Sequence, residues 1–187
     1  MKSGPKFLLV FVIFSFLTGC SMHIRPQKFD LDHQQLRSFK SDEPIQIVVP
    51  SNAETEHLVE SLSWWASPPK VYVDLNDLYR NAGELIAEVL DKNKVPFSPN
   101  AKKYLKFTIT KAQWEKWASG PMVEAYLEFD VETGDGYKKH YRVQDRSFSN
   151  VERAVGGTTS RAVEKVFQDE KILHYIQSPF VDRRTAG

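Results

Sequence analysis

The chain has one cysteine, Cys20, in 187 residues, so a disulfide framework and a multi-cysteine zinc or iron–sulfur site are both excluded. Neither charge is in excess, with 25 Lys and Arg against 24 Asp and Glu and a net charge of +1. A nucleic-acid binder carries a strong basic footprint, and this balance argues against that class. The five histidines, His23, His33, His57, His140 and His174, fall in no HxH, HxxxH or HExxH spacing, so no metal site is expected. There is no GxSxG nucleophile turn and no GxxxxGK[ST] phosphate loop. Also lacking is an apolar run of the ~20 residues needed to cross a bilayer as a helix; the run Phe7–Leu17, FLLVFVIFSFL, has about 11.

That short run has a specific setting. Lys2 and Lys6 precede it and Leu17-Thr18-Gly19-Cys20 follows it, the basic, hydrophobic and small-residue layout of a secretory signal over residues 1–20. The ending Leu-Thr-Gly-Cys resembles the lipobox of bacterial lipoproteins. The resemblance implies cleavage before Cys20 and lipid attachment to its thiol, with more than one acyl chain for stable anchoring. In that class an aspartate after the cysteine is associated with inner-membrane retention. Ser21 stands there instead, which implies the outer membrane, facing the periplasm. Without residues 1–20 the chain has 23 basic and 24 acidic side chains, close to neutral.

Hydrophobic residues at 41% and charged residues at 26% are the balance of one packed domain. Residues 21–44 hold Pro26, Pro44 and several Gln and Ser, show no sustained period, and read as a flexible tether reaching on the order of 25–30 Å. Residues 45–177 carry the folded domain. Ile45–Val49 and Val71–Val73 suit strands, while residues 53–66 are ambiguous between a short helix and an irregular connection. Leu78, Ala82, Leu85, Ile86, Val89 and Leu90 recur at helical spacing after the capping residues Asp74 and Asn76, and Asn93, Pro96 and Pro99 end that helix.

Three period-2 segments follow, around Leu105–Ile109, Val123–Val131 and Tyr141–Val143, as in an antiparallel meander with one wet face. Gly134-Asp135-Gly136 suits a tight turn and Ser119-Gly120-Pro121 a break. A second helical pattern starts after Asn150, is interrupted by Gly156-Gly157, and resumes through Ala162, Val163, Val166 and Phe167. Ile172, Leu173 and Ile176 form a last helical turn, and residues 178–187 a frayed tail. The order predicts an α+β, two-layer domain with a mostly antiparallel or mixed sheet of about five strands covered by two main helices.

The lipobox, the run VDLNDLYRNAGELIAEVLDKNKV, the strands YLKFTIT and HYRVQ, and the closing SRAVEKVFQDEKILHYIQ resemble the YajG-type family of small Gram-negative lipoproteins. More distantly they are similar to accessory lipoproteins of ABC-type envelope transport systems. The resemblance supplies no catalytic residues.

Candidate chemistry is thin. Gly156-Gly157-Thr158-Thr159 before a helix could cradle an anion, but reads better as a helix break or cap. Glu124, Glu128 and Asp130 share one strand face, which reads as solvated charge rather than a cleft with two acids. His140 and Ser147 fall on opposite faces by parity. Trp64, Trp65, Trp114 and Trp117 are the candidate interaction residues, because exposed tryptophans anchor binding surfaces. The expectation is a non-enzymatic accessory or adaptor lipoprotein without cofactor. It is held to the membrane by lipidated Cys20 and docks on an envelope protein partner through a sheet edge, a hairpin tip or the tryptophans. The alternative is a module that binds lipid or peptidoglycan.

Overall fold

A computed structural model of the chain describes residues 21–50, 53–62, 69–116, 120–148 and 150–180. The described residues form strands β1 (Ser21–Ile24), β2 (Ile45–Val48), β3 (His57–Ser61), β4 (Lys70–Val73), β5 (Lys103–Lys116), β6 (Met122–Thr133) and β7 (Lys138–Phe148). Helix α1 (Leu75–Lys92) lies between β4 and β5, and α2 (Val151–Gln168) and α3 (Glu170–Gln177) follow β7. The fold is α+β, with one open mixed sheet of seven strands in the order β1-β4-β3-β5-β6-β7 and β2 beside β5. The sequence accounts for the long strands and the two long helices. The additional strands β1 and β3 have only Ile24 and Val59 buried, too little apolar content to show a period.

Local chemistry sets the ends of α1. The Asp74 carboxylate accepts from the Asn76 amide at 2.8 Å, and at the other end Lys94 adopts φ 58°. The Val95 N–H then reaches the Leu90 carbonyl and the Lys94 N–H the Asp91 carbonyl, the paired bonds of a Schellman ending, with buried Val95 closing it.

The long strand β5 meets β2 at Lys103–Lys106 and β3 at Gln113–Trp114 on one edge, and β6 along the other. Between its two short partners the edge at Ile109 would be open, and a bulge falls there between Ile109 and Lys111. Tyr79 of α1 fills the gap. Its hydroxyl accepts from the Ile109 amide at 2.9 Å and donates to the Ile109 carbonyl at 3.5 Å. The bulge also flips the strand's parity, so Leu105, Phe107 and Ile109 face the core before it, and Ala112 and Trp114 after it.

Residues 21–44 are not a free tether. After β1, the chain lies as a strap in the groove between α1 and α2. Asn81 Nδ2 holds the Pro26 carbonyl at 3.2 Å, Ser160 Oγ the Phe29 carbonyl at 2.9 Å, and the Glu164 carboxylate the Asp32 amide at 2.9 Å. Leu31 and Phe39 are buried, and Phe39 stacks on Phe167 at 5.6 Å. The strap shows no period because it is irregular between β1 and β2 and is held by a mixture of backbone groups and isolated side chains such as Leu31 and Phe39.

Nor do Gly156 and Gly157 break a helix, since α2 runs unbroken through them. The pair instead allows close approach: a Cβ on Gly156 would collide with the Gln27 backbone, and one on Gly157 with the Asp145 carboxylate. Of the expected tail 178–187, residues 181–187 lie outside the described residues, while Ser178 and Phe180 are bonded to the domain. The buried Lys103 ammonium donates to the Ile176 carbonyl at 3.0 Å and to the Ser178 carbonyl, and pairs with Glu43 at 3.2 Å. Glu43 also accepts from the Phe180 amide at 2.9 Å.

Two glycines inside helices should therefore respond in opposite directions. Gly83 has open space where a Cβ would go, so Gly83→Ala raises stability by about 0.5–1 kcal/mol. Gly156→Ala meets backbone that cannot step aside and lowers it by about 2 kcal/mol. Urea midpoints of the two variants check both signs.

Candidate interaction surface

Among the described residues the sheet is covered by helices on one face only. Its other face is a ladder of opposite charges between β6 and β7. Glu124 meets Arg146 at 2.8 Å, Glu128 meets Arg142 at 3.8 Å, Asp130 meets His140 at 2.7 Å and Glu132 meets Lys138 at 2.9 Å. The three carboxylates picked out in the sequence are thus each engaged by a cation or a histidine across the strand pair, and Glu124 is buried. Arg142 also lies over the Tyr126 ring at 4.7 Å. Burial, then the neighbouring Glu124 charge, raises the Tyr126 hydroxyl above its ordinary range.

On the covered face, Phe107 stacks on Phe129 at 4.8 Å and Phe129 on Tyr141 at 5.1 Å, an aromatic row across three strands. Its last member donates to Asp169 at 2.7 Å. Asp169 joins α2 to α3. It caps α3 by accepting from the Lys171 and Ile172 amides, and takes Lys139 Nζ at 2.6 Å. Burial alone would raise this carboxyl, but the bonds from Lys139, Tyr141 and the two amides outweigh it and lower it to about 2. For Tyr141, burial and then the Asp169 carboxylate push the hydroxyl upward. Sequence reasoning missed this joint. Asp169 sits one residue before a helical run, a capping signal, but its strand partners are 28 and 30 residues away.

Asp169 adjoins a shallow groove of about 330 Å³ between the β6–β7 turn and α3, lined by Asp135, Tyr137, Glu170, Lys171, His174 and Tyr175. The Tyr175 hydroxyl accepts from the Tyr104 amide at 3.0 Å and the Gly134 amide at 3.1 Å, which fixes α3 to the turn.

The sequence-derived site residues do not assemble into one place. Trp114 is 4% exposed and faces the core, so its ring is not on offer at the surface. The bulge turned it inward. Cys20, Trp64, Trp65 and Trp117 lie outside the described residues. The histidines are separated and locally paired: His23 with Glu56, His33 with Glu88, His57 with Glu54 and His140 with Asp130. Among the described residues no group of three or more His, Cys, Asp or Glu is placed to hold a metal ion, and no helix is long and apolar enough to cross a membrane.

One further feature concerns backbone. Strand β7, 11 residues long, pairs with β6 and with no other strand among the described residues, so its outer edge ends the sheet. Lys139, His140 and Arg142 stud it, side chains that discourage indiscriminate strand addition.

These features define a small α+β domain with an open mixed sheet, one face covered by helices and one long edge strand that, among the described residues, pairs on one side only. No family model matches the chain, and no curated protein matches it. Among solved structures it is similar to protein XCC0632 from Xanthomonas campestris, of family model DUF330, with a TM-score of 0.50 at 12% identity over 82% of this chain and 94% of that one. The two share a fold. A looser similarity is to the rare lipoprotein B from Shewanella oneidensis, with a TM-score of 0.28 at 11% identity over 70% and 89% of the two chains.

The Asp169 joint has a pH signature. A carboxyl held lower in the folded chain than in the unfolded one stabilises the fold above its unfolded value near 4, and that stability is lost as pH falls towards 2. Asp169→Asn keeps a capping side chain but removes the charge. It should lower stability at neutral pH by roughly 2 kcal/mol and flatten the profile between pH 4 and 2, read from urea midpoints across pH.

Proposed function

We propose that the chain is a non-enzymatic lipoprotein of the YajG type, anchored through Cys20 to the outer membrane and facing the periplasm, that acts as an accessory or adaptor docking on an envelope protein complex. The β7 edge carries this reading. A partner strand added there would gain main-chain hydrogen bonds along up to 11 residues, while exposed side chains on alternate positions supply selectivity. The charged groups support it as well, because the ladder, the Asp169 joint and the Lys103 clamp are all engaged in holding the fold.

A second reading, a lipid- or peptidoglycan-binding accessory, is favoured by the groove beside α3, where Tyr137 and Tyr175 flank His174 and Lys171 in a volume at the lower end of ligand sites.

A photo-reactive amino acid at Arg142 or Gln144, both exposed on β7, tests the first reading in intact cells. One envelope protein should be trapped at both positions and lost when Cys20→Ala removes the anchor. Adducts at neither position, with co-sedimentation on sacculi abolished by Tyr137→Ala, would replace the adaptor by the second reading.

A further inference from the structure

We infer that the end of the sheet where β1 starts rests on the phospholipid surface, so that the domain stands on the bilayer in a fixed orientation. The inference deepens the lipoprotein reading and rests on it.

The first argument is covalent. Ser21 is already the first residue of β1 and is registered with Lys70 of β4. Cys20 precedes it by one peptide bond, so its Cα lies ~3.8 Å from that of Ser21. A lipid on the Cys20 thiol then leaves no spacer between acyl chains and folded strand. The strap reinforces this, since residues 26–39 are fixed along α1 and α2 and cannot be paid out as slack.

The second argument is topological. β4 runs parallel to β1, β3 antiparallel to β4, and β5 parallel to β3. β6 and β7 then alternate in direction. These directions bring the start of β1, the end of β3, the start of β4, the end of β5, the start of β6 and the end of β7 to one end of the sheet.

The third argument is the side chains found there. Phe148, the last residue of β7, is 72% exposed, Met22 39% and Leu62, just past β3, 38%. The described residues include two other exposed large hydrophobics, Leu58 within β3 and Phe97 at the opposite end. An aromatic and two flexible aliphatic side chains beside a lipid-bearing residue suit the boundary between headgroups and acyl chains. The opposite end, with the Gly134–Gly136 turn and the groove beside α3, is then carried roughly 35 Å from the surface by the length of β6.

The test uses full-length lipidated protein, in which Cys20 is acylated and an introduced cysteine is the sole free thiol. Phe148→Cys and Asp135→Cys each receive an environment-sensitive fluorophore. The proteins are placed in vesicles of phosphatidylethanolamine and phosphatidylglycerol carrying lipids with a shallow nitroxide. Quenching at position 148 should exceed that at 135 by about three-fold or more. Equal quenching in protein whose mass confirms acylation overturns the docked orientation and leaves the lipoprotein reading standing. A mass without acyl chains overturns the lipoprotein reading itself. Position 148 shielded from aqueous iodide yet untouched by the lipid nitroxide would mean that protein covers this end, and also overturns the inference.

Discussion

Helix α2 lies between the sheet on one side and the amino-terminal strap and α1 on the other, and from Ala154 to Ser160 it has no solvent-facing residue. A helix enclosed in this way must present small or self-satisfied groups all round, because bulk or an unpaired polar group in any direction is penalised. Most of these positions meet that demand, and the exception is Thr159, whose hydroxyl is buried without a hydrogen-bond partner. Gly156 admits the Gln27 backbone, Gly157 admits Asp145, Thr158 turns its hydroxyl back to the Val155 carbonyl at 2.6 Å, and Ser160 donates to Phe29. The strap can lie flat only because those positions are small, and burying the strap completes the cover over Leu31 and Phe39.

This packing changes how an anchor at Cys20 would act. A flexible leader would let a domain search a hemisphere, whereas a strap bonded to both long helices would couple any lipid attached there to the sheet itself. In the proposed orientation β7 would run away from the membrane, with the edge that pairs with no other strand among the described residues lying along that direction.

The long elements were legible in the sequence because their signals are periodic. Asp74 and Asn93 mark the ends of α1, the alternations locate β5 to β7, and Gly134-Asp135-Gly136 marks their turn, where Gly136 takes φ 91°. What stayed hidden depends on contacts distant in sequence. The strap shows no pattern because scattered carbonyls, amides and single side chains hold it, with no regular element behind them. Gly156-Gly157 resembles a stop signal until the backbone that needs the space is in view. Trp114 looked like a surface candidate because the alternation ends near it, but the bulge after Ile109 shifts the phase and sends it inward. The Asp169 joint gathers Lys139, Tyr141 and two helix amides, none of which marks the others in the chain.

The charge ladder on the open face has more to do with register than with strength. Its pairs are mostly exposed, and such pairs contribute little each. A slip of β7 by one residue, however, would turn Arg142 and Arg146 towards the helices and bring Tyr141 and Val143 out to water. Only the native register places opposite charges across the strands on one face and Phe129 against Tyr141 on the other. Tyr141 in turn reaches Asp169, and Asp169 starts α3, whose Tyr175 fixes the β6–β7 turn. The alignment of one edge strand thereby sets the shape of the groove beside α3. A shift in the register of β7 would therefore loosen Asp169 and the turn that Tyr175 holds, and with them the groove beside α3.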